Sequence, residues 1–236
     1  MDESQHNDAV GATEPEQPEI PSLISRLLGI FLSPGKVMET VARHPLWAGA
    51  LVVGVLLVAL QTALIPFDMI MSAQRQAVLE SGRDMPEMPE TLMNIARFVT
   101  PVLATIGVSL LTFISAGLYW LIFAFVLGDE GRYRQYLAVG AHALFVPAMI
   151  GVALVPLKIM TEDPQATLNL GLFLFFLSDG YWADVFRLMD LTGIWSALII
   201  AQGAHSIDPR RSFGSAAAIM IGITLAFALI FAIFQP

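Results

Sequence analysis

Three residues set in long uncharged stretches are the chain's best candidates for chemistry: His142, Pro147 and Asp190. His142 is the only histidine or formally charged residue between Gln135 and Leu157. An ionisable group inside an apolar run is a functional-site hypothesis by default, because its charge is expensive there. Pro147 has no amide hydrogen, so a helix through it leaves the carbonyl of Ala143 without its usual partner. His142 lies next to that opening. Two readings stand. Either His142 marks a working polar site, with Gln61, Ser109 and Gln202 as further polar groups, or it is a neutral histidine bonded to a serine or carbonyl of another helix. Asp190 sits at the end of its apolar run, where a carboxylate caps a helix start.

Other chemistries find little support. No Gly-x-Ser-x-Gly, His-Glu-x-x-His, P-loop or dinucleotide fingerprint occurs. The chain has no cysteine, which removes thiolate catalysis, disulfides and cysteine-metal sites. Intramembrane proteolysis needs paired aspartates or a serine–histidine couple inside spans, and Asp190 is the only carboxylate near a span core. His44, His142 and His205 belong to three separate segments, and nothing in their spacing demands a metal. Met85 and Met88 adjoin prolines without a repeat, so they read as loop rather than as a soft-metal site. We expect a non-enzyme with no cofactor.

The elements that must position these residues are membrane spans. Charged residues make up 14% of the 236-residue chain, against about 25% in soluble domains. An apolar run of about 20 residues crosses a bilayer core of roughly 30 Å. Uncharged runs predict an all-α polytopic transmembrane bundle of about five spans, near residues 46–66, 98–128, 136–157, 190–205 and 213–234. The 31 residues of Phe98–Gly128 exceed one crossing, so that helix must tilt, kink or project. Small residues recur on several helices. Gly140, Ala143, Pro147 and Gly151 make one smooth face, Gly193, Ala197 and Ala201 a second, and Gly214, Ala218 and Gly222 a third. The last two, on adjacent antiparallel helices, are expected to pack against each other closely.

Between the spans, residues 67–97 and 159–188 read as long connecting segments. Within the second, LNLGLFLFFLS (168–178) has only fifteen residues between the charges at Asp163 and Asp179, which suits a re-entrant or interfacial helix. Residues 1–21 form an acidic tail, with six carboxylates and no Lys or Arg, and are expected to be disordered. Residues 22–45 predict interfacial amphipathic helices anchored by Arg26, with Ser33 and Pro34 starting the second. Val37, Met38 and Val41 form its buried side, and Lys36 and Arg43 face headgroups or water. With a cytoplasmic N-terminus, seven Lys or Arg lie inside and five outside, a modest positive-inside bias. That orientation fits a bacterial inner membrane. No clustered basic face suggests nucleic acid.

Three segments carry a family resemblance: LSPGKVMETV before the first span, GDEGRYRQYLAVGAHALFVP after the second, and LMDLTGIWSALIIAQGAHSI leading into the last. In order and spacing they resemble the Yip (Ypt/Rab-interacting protein) family, prokaryotic branch, over roughly residues 23–234. The resemblance implies a five-span bundle with a cytoplasmic N-terminus and non-enzymatic action, with Rab-type partners in eukaryotic relatives. Gly140 and Pro147 keep the family's seven-residue step, but Ala141 stands where those relatives have tyrosine, and their Asp-Leu-Tyr-Gly-Pro motif is absent. The reading that follows is a membrane-organising or interaction scaffold, in the lipid bilayer, with a membrane-protein partner or self-association. The alternative is a small transporter or channel built around His142, against which no repeat between the two halves is found.

Overall fold

The computed structural model describes residues 20–84, 89–174 and 176–235. The tail before residue 20 and the pair Met85 and Met88 lie outside the described residues. Among the described residues the regular elements are helical, and the β pairing is an isolated bridge between Asn169 and Asp190. The protein is an all-α polytopic helix bundle.

Two short helices open it. In α1 (Leu23–Leu32) the Ser22 hydroxyl accepts the Ser25 N–H at 3.2 Å. In α2 (Pro34–Arg43) Pro34 takes the first position, but Ser33 makes no side-chain capping bond. Val37, Met38 and Val41 are buried while Lys36 and Arg43 are exposed. Arg26 does not reach out to headgroups as expected. It is 6% exposed, and among the described residues its Nε and Nη1 have no hydrogen-bond partner. The reason is rotational: Arg26 shares the face of Leu27 and Ile30, which turns into the bundle.

Helix α3 (Ala48–Leu64) ends two residues before Pro66, and α4 (Phe67–Glu80) leaves it at 87°. The solvated loop expected over 67–97 is therefore largely helical. Pro66 interrupts the ladder without stopping helix formation beyond it, and the chain turns at Gly82, whose φ is 74°, a conformation glycine adopts without steric cost. Helix α5 (Glu90–Trp120) starts behind Pro89, eight residues before the expected span, and continues as a wider π turn over Leu121–Val126. The continuous 37 residues measure about 55 Å at 1.5 Å per residue, so they outreach a bilayer core.

Helix α6 (Tyr133–Ala153) is followed by α7 (Val155–Met160), a 3₁₀ turn at Leu170–Phe173, α8 (Tyr181–Leu188), α9 (Leu191–Ile207) and α10 (Phe213–Phe231). Among its described residues, the apolar 168–178 stretch contains that turn rather than the helix expected there. Backbone bonds from Leu170 N–H to Met189 O (3.0 Å) and Leu191 N–H to Leu168 O (2.7 Å) strap it across the start of α9. On length and composition, three helices can cross a membrane: Glu90–Val126, Tyr133–Ala153 and Phe213–Phe234; the bent pair α3 and α4 makes a fourth candidate. Helix α9 has 17 residues.

Helix α6 is the centre, touching α1, α2, α3, α5 and α9. Within its apolar window 56% of residues are buried, against 17% for α5 and for α10. Two glycines let neighbouring helices approach closely. A Cβ on Gly203 would stand 2.5 Å from Val139 Cγ2, and one on Gly54 would stand 2.9 Å from Leu144 Cδ2. The predicted pairing of α9 and α10 through matched small faces needs correction. The two helices do pack, but α10 offers Ala216 and Met220, while Gly214, Ala218 and Gly222 are exposed. A Cβ on Gly214 or Gly222 would meet nothing within 4 Å. On α9, Ala197 and Ala201 are buried but Gly193 is exposed. Ala216 and Met220 share the four-residue step of the glycine stripe, and periodicity cannot choose between two such faces.

Candidate functional site

Midway along α6 the chain had to resolve the carbonyl opened by Pro147. It does so with Ser196 of α9, whose hydroxyl donates to Ala143 O at 3.1 Å. Ser196 was not among the predicted site residues; its one sequence signal was a hydroxyl on an otherwise apolar stretch. His142 is fully buried, and its Nδ1 lies 2.7 Å from Ala138 O. A carbonyl only accepts, so Nδ1 carries the proton and donates, leaving Nε2 as a lone-pair acceptor. Nε2 is sealed from solvent and has no partner among the described residues. His142 lines none of the cavities described below, so it is not grouped with Pro147 and Asp190.

Those two do meet. A cavity of about 300 Å³ lies between α3, α5, α6 and the start of α9, lined by Gln61, Pro147, Gly151, Lys158, Asp190 and Thr192 with apolar neighbours. Gln61 presses its amide onto the Gly151 backbone, where a Cβ would fall 2.9 Å from Gln61 Cδ. Asp190 caps α9: its Oδ1 accepts the N–H groups of Thr192 and Gly193, the latter at 3.0 Å. Lys158 is 4% exposed and donates from Nζ to Pro164 O at 2.8 Å. Burial lowers its pKa from the usual lysine value, and the charges of Asp163 and Asp190 pull the other way. Gln61 was expected as a polar group near His142 and instead joins Pro147 and Asp190, whereas Lys158 was legible only as a charge at the end of an apolar run.

At the other end, the two tight loops are tied together. The Arg211 guanidinium forms a two-pronged ion pair with Asp129, 82 positions away, with both side chains largely buried. Asp208 accepts from the Glu130 N–H at 2.8 Å and from Arg210 Nη2 at 2.6 Å. Bonds from Arg210 and from the Glu130 amide hold the Asp208 carboxyl well below the usual range, and the same contact with Asp208 raises the pKa of Arg210. Arg211 sits over the Phe123 ring at 5.9 Å, and Phe123 stacks on Tyr136. Gln135 joins α6 to α2, donating to Ala42 O at 2.8 Å. An open cleft of about 610 Å³ beside this network is lined by Trp120, Phe125, Asp129, Glu130 and Arg132 among others. Among the described residues no three His, Asp or Glu side chains converge as a metal site, and His44, His142 and His205 stay apart.

A Yip1 domain model matches residues 28–234, from the middle of α1 to just past the end of α10. The chain belongs to the Yip1 domain family. The match spans every crossing candidate and both polar ends of the bundle, so they are parts of one Yip1 domain. The chain is also similar to "Membrane protein YknW" of Bacillus subtilis (strain 168), 24% identical over 210 residues, covering 86% of this chain and 88% of that one. No solved structure matches significantly. The family, the relative and the apolar helices make this Yip1 domain an integral membrane protein, and the family is consistent with a non-enzyme.

Proposed function

We propose that this Yip1-domain protein is a non-enzymatic membrane-organising or protein-interaction scaffold. In this reading α3, α5, α6, α9 and α10 make five crossings of a bacterial inner membrane, with the acidic N-terminus cytoplasmic. The observation that carries it is the contrast between a tied core and bare flanks. Ser196, Gln135 and the Asp129–Arg211 pair are used to join elements, so they are not free to act on a substrate. Meanwhile Leu103, Ile106, Leu110 and Ile114 of α5 recur every three or four residues and are 52–60% exposed. This apolar face runs for three turns and is available to lipid or to a partner's helix. Among hydrocarbon tails a helix face is recruited by packing, not by hydrophobicity, so partner binding there is selective by shape.

The chain has no cysteine, which makes single-cysteine crosslinking clean. Ile106→Cys and Leu110→Cys, carrying a photoactivatable label in membranes, are expected to give a protein adduct of discrete mass. Ala116→Cys, buried at 0% exposure, is the control and gives none. Adducts to lipid alone from both exposed positions would remove α5 as the scaffold face. The second reading, a small transporter or channel, is favoured by the cavity that joins Pro147 to Asp190. Saturable uptake in whole cells that disappears with Asp190→Asn would put it first.

A further inference from the structure

We propose that the cavity between α3, α5, α6 and the start of α9 binds one zwitterionic phospholipid headgroup, with Lys158 holding its phosphate, Asp190 its ammonium, and Val58, Val108 and Leu144 flanking the first methylenes of its acyl chains. This goes beyond the scaffold reading and does not rest on it.

The volume, about 300 Å³, is at the lower end of small-ligand sites. Its wall has two characters: Val58, Val108, Leu144, Ile150 and Leu154 on one side, and Gln61, Lys158, Thr167, Asp190 and Thr192 on the other. The two charged groups each keep unused capacity. An ammonium has three N–H donors, and Lys158 has one described bond, to Pro164 O. On Asp190, Oδ1 takes all the described capping bonds, from Thr192 and Gly193, and Oδ2 takes none. Lys158 and Asp190 both line the cavity and, among the described residues, no ion pair joins them; Asp163, whose charge also acts on Lys158, is outside that lining. Two unlike charges facing one low-dielectric space without touching are each costly. A lone anion would satisfy Lys158 but be repelled by Asp190, and a lone cation the reverse. A group carrying both charges satisfies both.

Position favours a lipid over a free solute. Pro147 and Gly151 belong to the apolar length of α6, while Lys158 lies past its end at Ala153. The cavity therefore straddles the change from hydrocarbon to headgroup depth, as a phospholipid does. A free zwitterion would leave the Val58, Val108 and Leu144 wall uncovered.

The test uses full-length protein in detergent and thermal-shift titration with three probes: dihexanoyl phosphatidylethanolamine, dihexanoyl phosphatidylglycerol and free O-phosphoethanolamine. Phosphatidylethanolamine is expected to bind at least tenfold tighter than the anionic lipid, a difference of about 1.4 kcal/mol, and tighter than the free headgroup. Lys158→Met and Asp190→Asn should each weaken it tenfold or more; asparagine still caps α9. Val108→Phe narrows the cavity without touching either charge, so it reports even where Lys158→Met fails to fold, and it should abolish binding. Equal binding of phosphatidylglycerol, or unchanged binding in Asp190→Asn and Val108→Phe, overturns the proposal. Free phosphoethanolamine binding as tightly as the lipid overturns the lipid assignment in favour of a soluble zwitterion.

Discussion

Gly203→Ala is the sharpest perturbation of the core. The new Cβ would lie 2.5 Å from Val139 Cγ2 and 3.0 Å from Val139 Cβ, with Cγ1 closer still. Carbon contacts are optimal near 3.5–4.0 Å, so α6 and α9 must separate by about 1 Å or Val139 must move. Val139 is fully buried, and a helical valine has one strongly preferred rotamer, so its methyls cannot swing aside. Overpacking of this kind costs about 1–3 kcal/mol, here near the top of that range because both methyls clash. Replacing a helical glycine by alanine returns up to about 1 kcal/mol. The net loss is about 2 kcal/mol, or roughly 4–8 °C in Tm at 2–4 °C per kcal/mol for a chain of this length. Thermal unfolding in detergent measures it. Gly222→Ala is the control: nothing stands within 4 Å of its Cβ, so its Tm should hold or rise. A cycle with Val139→Ala should show favourable coupling of at least about 1 kcal/mol, since contacting residues couple by about 0.5–3 kcal/mol. A Gly203→Ala protein as stable as wild type, or a cycle without coupling, would refute the close approach of α6 and α9.

Four further outcomes follow from the polar contacts and the buried core. Ser196→Ala strands the Ala143 carbonyl and should cost about 1–3 kcal/mol, whereas in a Pro147→Ala background the same change should be nearly silent, because the helix then supplies its own donor; equal losses in both backgrounds would contradict this. Asp129→Asn breaks a largely buried pair with Arg211 and should lower Tm clearly, by about 3 kcal/mol at most given the partial exposure of the arginine, with a smaller loss when Arg211→Met is already present. Asp208 has its pKa held down in the folded state, so its stabilisation is complete above the ordinary carboxylate value of about 3.9 and lost as pH falls below it. A Tm-versus-pH curve should drop there, and Arg210→Met should flatten that drop. His142→Ala leaves a hole in the centre of α6 and should lower stability by about 2–4 kcal/mol, with any cellular phenotype tracking protein level; a stable variant with the phenotype abolished would instead mark His142 as a working site.

The fold class was legible because it depends on local quantities. Uncharged runs of spanning length need no partner to be recognised, and in lipid each must satisfy its own backbone as a helix. The proline at the start of α2, the cap at Asp190 and the stranded carbonyl of Ala143 were equally local. The segment 67–97 was misread for the same reason: its prolines and glycine signal breaks, and α4 and the early turns of α5 form between those breaks.

What the tertiary structure decided is which face of each helix looks inward. In water, polarity separates the two faces; in a bilayer both are apolar, so composition cannot tell Ala216 and Met220 from Gly214, Ala218 and Gly222. The same ambiguity hid the burial of Arg26 beside Leu27 and Ile30. Pairings across long separations were also beyond the sequence. Ser196 reaches Ala143 from 53 residues away and Arg211 reaches Asp129 from 82, because a hydrogen bond needs distance and angle that only packed helices supply. The three residues singled out for chemistry therefore parted company: Pro147 and Asp190 line one cavity with Lys158, and His142 is sealed in the core of α6, bonded to its own helix.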